Sequence, residues 1–380
     1  MRRRNSLKKW NWMARVIISG GGTGGHVFPA IAIADAVKVA APETEILFVG
    51  ANGKIEMEKV PKAGYKIIGL NISGFQRKLS LRNLSFPFKL AASMFKAFMV
   101  VRKFRPDVAV GVGGYASGPV LKIANSMNIP TILQEQNSFA GVTNRILASK
   151  ASAVCVAYDG LERFFPKDKI IFTGNPVRKD ILDKKINAAQ ARNTLGLDQN
   201  KKTVLIFGGS LGARTINEAV LANADALLEM RDVNIIWQVG KIYYDEYVNG
   251  PLSGKDNIKI LSFIEDMDIA YSAADIVVCR AGALTISELA ILGKASILIP
   301  SPNVAEDHQT VNAMSLVNKG AAVLVKDLNA KEELMSAVQS LLNDEVKKNG
   351  LESNIKYFAK PEAAKQIAAE ILKICAKKGA

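Results

Sequence analysis

The stretch RVIISGGGTGGHVFPAIAIADAVKVA, residues 15–40, decides how the chain is read. An apolar, β-branched run, RVIIS, passes directly into GGGTGGH and from there into a pattern of helical period. Glycines at such a junction let the backbone approach a ligand closely. The helix that follows offers unpaired N–H groups and the positive end of its dipole to a phosphate. Strand, glycine turn and helix in that order make one step of a doubly wound α/β sheet. Gly20, Gly22 and Gly25 formally fit the GxGxxG fingerprint of dinucleotide binding. The acid that holds an adenosine ribose is missing, however, because the second strand, ILFVG, runs on into Ala51 and Asn52.

Outward from this stretch, short β-branched runs alternate with longer helical patterns, the signature of parallel sheets covered by helices on both faces. Strands are expected at 15–19, 45–49, 108–112, 131–134, 153–157 and 169–172. A second series is expected at 203–207, 234–239, 258–261, 276–279, 296–299 and 322–325. The polar, charge-rich stretch 178–202 between them reads as a linker followed by a new start. The expected architecture is therefore α/β, with two Rossmann-like doubly wound domains facing a cleft, since open sheets bind ligands at the carboxyl ends of their strands. Residues 1–13 form a basic leader, 14–177 the first domain and 178–360 the second. Residues 361–380 are a helical pattern that fits either domain and is expected to pack back on the first.

Composition limits the function classes. The chain has 380 residues, 49% of them hydrophobic, and three well-separated cysteines with no CxxC pair. That excludes disorder, a disulfide scaffold and a zinc ribbon, and suits a reducing compartment. No run reaches the roughly 18 to 20 apolar residues of a membrane span, and MRRRNSLKKWNW lacks the apolar core of a signal peptide, so a cytosolic protein is expected. The net charge of +15 is concentrated in two windows. Residues 1–34 hold six Lys or Arg and residues 59–106 hold eleven, in both cases without an acid. Setting those 17 aside leaves 33 basic residues against 35 acidic ones.

Within the second window, FPFKLAASMFKAFMVVRKFRP (86–106) predicts a helix with Pro87 in its first turn and Pro106 beyond its end. Two readings stand beside each other: a core-facing helix with a solvated basic side, and an amphipathic surface that rests on anionic lipid headgroups. The leader, with Trp10 and Trp12, suits the second. Nucleic acid is not an expected partner, because no RNP1-type run, finger spacing or helix-turn-helix signal accompanies the charge.

The strand-to-glycine pattern recurs as AVGVGGYASGP (109–119) and IFGGSLGAR (206–214), as expected for ligands carrying more than one phosphate. With these motifs, GGGTGGHVFPA (20–30), EQNSFAGVTNR (135–145), GNPVR (174–178), GGSLGARTIN (208–217), CRAGALTISE (279–288) and EDHQTVNA (306–313) occur in the order found in the MurG family, which the chain resembles over roughly residues 14–375. The resemblance implies a GT-B fold with a lipid-acceptor domain followed by a UDP-sugar domain. It implies inverting, metal-independent transfer of N-acetylglucosamine from UDP-N-acetylglucosamine to lipid I, giving lipid II, with no cofactor. It also implies peptidoglycan synthesis, with its links to cell shape and division, on the cytoplasmic face of the membrane as a peripheral protein, beside other cell-wall assembly proteins.

The same resemblance assigns residues. His26, one of two histidines, is the candidate general base, since an imidazole can take the proton of an attacking hydroxyl; the alternative is a histidine that orients the loop. Thr23, Gly24 and Gly25 match contacts to the donor, and their loop also suits the acceptor diphosphate. Asn137 matches a contact to the transferred sugar, and Arg178 one that neutralises the departing UDP. Ser210 serves the diphosphate, Ile264 meets uracil through its backbone, and Ala283, Leu284, Thr285, Ile286 and Ser287 open a helix at the phosphates. Glu288 accepts from the ribose hydroxyls, and Gln309 contacts the sugar. His308 stands where other members often carry glutamine, which leaves its role open. Two rivals remain: a UDP-sugar transferase acting on diacylglycerol, which shares parts of the donor motif, and a non-catalytic, membrane-associated nucleotide-binding scaffold.

Overall fold

The computed structural model describes residues 13–72, 86–183, 186–304 and 307–379. The leader, apart from Met13, and the middle of the second basic window lie outside them. The chain divides into two compact units, one of residues up to Arg178 together with those from Lys360 onward, the other Lys179–Ala359.

In the first unit the described residues form a sheet of seven parallel strands, β1 (Arg15–Ser19), β2 (Glu45–Ala51), β3 (Lys66–Leu70), β4 (Val108–Gly111), β5 (Thr131–Glu135), β6 (Ala153–Val156) and β7 (Ile170–Phe172). Their order is β3-β2-β1-β4-β5-β6-β7, so the winding reverses between β1 and β4. Every strand of the first series is found, in the doubly wound fold expected. The sequence did not announce β3. It is an edge strand inside the basic window, short and opened by the exposed Lys66, with Gly69 breaking its apolar run.

The central strands are buried on both faces, which is why they read as continuous apolar runs rather than alternating ones. Val16, Ile18, Val108 and Val110 face one layer, formed by the helix Gly24–Ala40 and the C-terminal helix Ala363–Gly379 through Ile33, Val37, Ile367, Ile371 and Leu372. Ile17, Ala109, Leu133 and Val154 face the other, where Val120 and Leu121 of helix Ser117–Ser126 and Ala97 and Val101 of helix Phe86–Phe104 pack. The C-terminal helix therefore completes the core of the unit in which the chain began.

The second unit repeats the plan with six parallel strands, β8 (Lys202–Phe207), β9 (Val233–Gln238), β10 (Ile258–Leu261), β11 (Ile276–Cys279), β12 (Ala295–Leu298) and β13 (Val323–Leu324), in the order β10-β9-β8-β11-β12-β13. Its reversal falls between β8 and β11. One face of the sheet packs Val204, Ile206, Trp237 and Val278 against Ile216 and Val220 of helix Arg214–Ala222 and Leu334 and Val338 of helix Ala330–Asn343. On the other, Phe207 meets Tyr271 of helix Met267–Ala273 edge to face, with ring centres 6.1 Å apart. The stretch 178–202 is more than a linker. Asn187 and Gln190 form a capping box for the helix Ala188–Thr194, and its Arg192 is buried, paired with Asp275 at 2.7 Å and donating through Nε to the carbonyl of Ala273.

Candidate active site

Each sheet presents its reversal point as a cluster of loops at the carboxyl ends of its strands, the position at which open α/β sheets hold ligands. In the first unit, β1 leads through Gly20–Thr23 into the helix that begins at Gly24, and β4 leads into Gly113 and Gly114 beside it. Gly21 N–H donates to the carbonyl of Gly113 at 3.3 Å, so the two loops are tied together. His26, in the first turn of the helix, is half-buried, with Nδ1 3.3 Å from the Thr23 hydroxyl. Its ring lies against Gly113: a Cβ there would come within 2.7 Å of Cδ2 and 2.8 Å of Nε2. The close approach needs a glycine, and the left-handed φ of 89° at Gly113 agrees. Thr23 and Gly25 are exposed, and Gly24 lies between them at the helix start, where backbone N–H groups have no partner within a helix.

Arg178, the last residue of the first unit before Lys179, stacks its guanidinium 4.9 Å above the ring of Phe28, two residues along the helix from His26. Asn137 follows β5 in a loop held by Glu135. That carboxylate accepts from Asn137 N at 3.1 Å, Gly141 N at 3.0 Å and Asn144 Nδ2 at 2.9 Å. Burial pushes the Glu135 carboxyl above the usual carboxylate range, while the donors of Gly141, Asn144 and Asn137 pull it back. Beneath the loop lies a buried amide network that sequence reading did not find. Gln136 donates to the carbonyl of Val112 at 2.8 Å, Asn175 Nδ2 to the carbonyl of Gln136 at 3.1 Å, and Gln134 Nε2 to Asn175 Oδ1 at 3.1 Å. These bonds join the ends of β4, β5 and β7. The structure thus brings Thr23, Gly24, Gly25 and His26 onto one turn, with Arg178 beside them through Phe28, and Asn137 at the neighbouring strand end.

In the second unit, Ser210 is exposed on the loop between β8 and the helix Arg214–Ala222. Asn217 of that helix is fully buried, donates to the carbonyl of Val239 at 2.9 Å and accepts from the indole of Trp237 at 3.2 Å. It fixes the helix that follows β8 to the end of β9. After β11, Gly282 caps the helix Ala283–Leu292, which carries Ala283, Leu284, Thr285, Ile286, Ser287 and Glu288 in its first turns. Ala283 and Ile286 are buried, Leu284, Thr285 and Ser287 half-buried, and the Ser287 hydroxyl donates back to the carbonyl of Ala283 at 2.9 Å. Glu288 is buried, and its Oε2 accepts from the Tyr271 hydroxyl at 2.9 Å.

Ile264 is buried in the segment after β10. Gln309 lies in the first turn of the helix His308–Val317, and its Oε1 accepts from Ser301 N at 2.9 Å just past β12. That bond occupies the amide oxygen of Gln309 and leaves its NH2 group as the donor. His308 opens the same helix, half-buried. Arg280 donates to the carbonyls of Ile299 and Pro300 and pairs with Asp327, which in turn accepts from Thr215 at 3.1 Å. It braces the loops rather than opening toward a ligand. Among the described residues no group of three or more His, Cys, Asp or Glu side chains is arranged to hold a metal, and no helix is long and apolar enough to cross a membrane.

Two doubly wound sheets in one chain, each with a glycine loop and a helix start at its reversal, are the GT-B class of fold, which carries more than one activity. Known proteins place the chain within that class. The profile described as "Glycosyltransferase family 28 N-terminal domain" matches residues 16–156, and that of the family 28 C-terminal domain matches residues 203–367. A protein of Flavobacterium psychrophilum named UDP-N-acetylglucosamine--N-acetylmuramyl-(pentapeptide) pyrophosphoryl-undecaprenol N-acetylglucosamine transferase is 54% identical over 360 residues, covering 95% of this chain and 97% of its own. One of the same name from Bacteroides fragilis is 51% identical over 376 residues, covering 98% and 99%. The crystal structure of Acinetobacter baumannii MurG superposes with a TM-score of 0.71 at 31% identity, covering 95% of this chain and 99% of that one. The chain belongs to glycosyltransferase family 28, in the MurG family.

Proposed function

We propose that the chain transfers N-acetylglucosamine from UDP-N-acetylglucosamine to the muramoyl 4-hydroxyl of lipid I, giving lipid II and UDP. The observation that carries this reading is identity of 54% and 51% to two proteins named for that reaction, along nearly the full length of every chain involved. The first unit takes the lipid acceptor and the second the nucleotide sugar. Inversion proceeds by one displacement: the hydroxyl oxygen bonds to the anomeric carbon, the bond from that carbon to UDP breaks, and the hydroxyl proton passes to a base.

His26 is that base. A threonine hydroxyl both donates and accepts, so when Nδ1–H of His26 donates to Thr23, the lone pair of Nε2 is left to take the proton. Thr23, Gly24 and Gly25 present helix N–H groups to diphosphate, and Asn137 offers a carboxamide to the transferred sugar from a loop that Glu135 holds still. Arg178, kept planar against Phe28, offsets charge on the departing UDP. Ser210 and the N–H groups of Ala283, Leu284, Thr285, Ile286 and Ser287 receive the donor diphosphate. Ile264 meets uracil through its main chain, Glu288 accepts from the ribose, and Gln309 donates to the sugar. Helix N-termini and Arg178 offer the diphosphate positive charge, and the reading expects transfer to proceed in EDTA.

The test is transfer of radiolabelled N-acetylglucosamine to a lipid I analogue with EDTA present, beside diacylglycerol and a no-acceptor control. Product on the lipid I analogue alone is expected. Product on diacylglycerol, or binding of the nucleotide sugar without transfer, would move the chain to one of the rival readings.

The same reading places the chain on the cytoplasmic membrane surface as a peripheral protein, among other cell-wall assembly proteins. Helix Phe86–Phe104 supports it: Ser93, Ala97 and Val101 face the core, whereas Phe88, Phe95 and Met99 are 79%, 68% and 50% exposed. Spacings of seven and four put those three on one outward stripe, flanked by the exposed Lys89, Lys96, Arg102 and Lys103. Both readings of this helix therefore have a face. Phe88→Ser with Phe95→Ser is expected to weaken sedimentation with anionic phospholipid vesicles by at least about tenfold, since each buried Phe is worth about 1.5 to 3 kcal/mol. Undiminished sedimentation would take the stripe out of membrane contact.

A further inference from the structure

We infer that Glu56 is a positioning residue for the first glycine loop and, through it, for His26; the catalytic half of the inference rests on the function proposed above. Glu56 opens the short helix Glu56–Lys62 just after β2 and is 1% exposed. Its two oxygens hold two different pieces of backbone. Oε2 accepts from Gly22 N at 2.8 Å and Oε1 from Ala51 N at 2.9 Å, so one carboxylate clamps the end of β2 to the loop after β1. Among the described residues no Lys or Arg forms an ion pair with it. The clamp is tight on both sides. A Cβ at Gly21 would fall 2.2 Å from the carboxylate carbon, and one at Gly50 would fall 2.5 Å from Glu56 Cγ. Both glycines leave open the room that the Glu56 side chain occupies.

The clamp reaches the proposed base in two steps. Gly21 N, next to the clamped Gly22, is tied to the Gly113 carbonyl, and Gly113 is the surface on which the His26 ring rests. On the other side, Gly22 leads into Thr23, whose carbonyl accepts from His26 N at 3.2 Å and whose hydroxyl faces Nδ1. Both supports of the imidazole thus hang from the loop that Glu56 holds. The N–H groups of Gly21 and Gly22 are spent on Gly113 and Glu56, so an incoming diphosphate meets the helix start at Thr23, Gly24 and Gly25 instead. The clamp also explains why GxGxxG misleads here. The acid after the second strand lies on the following helix and closes the loop itself, where a dinucleotide enzyme keeps an acid for a ribose.

Glu56→Gln keeps the shape but replaces one acceptor by an NH2 group facing a backbone N–H. Two measurements on the full chain test the inference. Hydrogen–deuterium exchange of peptides spanning residues 20–26 is expected to speed up at least tenfold, with peptides spanning residues 283–292 unchanged. In transfer to the lipid I analogue, kcat is expected to fall by about 10- to 100-fold, the size of a small misplacement, with the KM for UDP-N-acetylglucosamine within about threefold. The double variant Glu56→Gln/His26→Ala should be no slower than His26→Ala alone, because a residue acting through His26 has nothing left to position.

Unchanged exchange at 20–26 would overturn the clamp, and effects that multiply in the double variant would overturn its action through His26. If the parent makes no product from lipid I, the proposed reaction fails and the exchange result alone decides the clamp. Should the Gln variant not fold, Glu56→Asp, which keeps the charge but not the reach to both N–H groups, carries the same measurements.

Discussion

His26→Ala is expected to lower kcat for transfer to lipid I by about 10²- to 10⁴-fold, the range over which a positioned general base acts, while the KM for UDP-N-acetylglucosamine stays within about threefold. The asymmetry follows from where the groups lie. His26 is in the first unit, whereas most of the proposed donor contacts, Ser210, Ile264, the Ala283–Leu292 helix and Gln309, belong to the second, and those of the first unit, among them Asn137 and Arg178, are made by residues other than His26. A second signature accompanies the first. A base that must be unprotonated to act gives a pH–rate profile that falls off on the acid side, and that limb should vanish in the alanine variant. Thr23→Val, which removes the hydroxyl partner of Nδ1 but leaves the ring, should show a smaller loss and retain the limb. Turnover equal to the parent's in His26→Ala would leave the histidine only its other reading, a ring that packs on Gly113 and orients the loop.

The largest expected effect on stability is at Gly212, between Ser210 and the helix Arg214–Ala222. Its φ is +77°, and a Cβ there would lie 2.1 Å from the carbonyl oxygen of Val239, 2.9 Å from its carbon and 3.0 Å from Gly240 Cα. All three are main-chain atoms, so no side chain can swing aside. Gly212→Ala combines a left-handed penalty of about 1 to 2 kcal/mol with an overlap of about 1 to 3 kcal/mol. A total near 3 kcal/mol lowers Tm by roughly 6 to 12 °C for a cooperative body of this size. Gly254→Ala is the control, because its φ of +69° carries the same backbone penalty with nothing within 4 Å. Calorimetry of both separates the terms, and an equal loss at the two sites would mean that the crossing of the loops after β8 and β9 is not tight.

The glycine loops of the candidate site were legible from spacing, whereas its individual side chains came from the family resemblance. Glycine loops after β1, β4 and β8 announce themselves because their backbone geometry excludes other residues. The runs RVIIS, TVLIF and IVVC announce central strands because a strand covered on both faces has no reason to alternate. Polar supports leave no such mark. Glu56 reads as one acid in a charged helix, and Asn175 is 41 and 39 residues from Gln134 and Gln136, meeting them only where the chain after β7 returns to the end of β5. Asn217 and Arg280 lay inside quoted motifs, yet their partners Trp237 and Asp327 are 20 and 47 residues away.

By itself the sequence determined the parallel α/β class, the two series of strands, the glycine loops and, through its ordered motifs, the family. These depend on local backbone sterics and on hydrophobic period, both of which act over a few neighbouring residues. The tertiary structure alone decided that β3 lines an edge, that Phe88, Phe95 and Met99 point outward while Ala97 and Val101 of the same helix point in, and that Glu56 turns back to hold Gly22. Those outcomes are set by which surfaces remain to be covered and which N–H groups remain to be paired once the sheet has formed, and neither is written in any local stretch of chain.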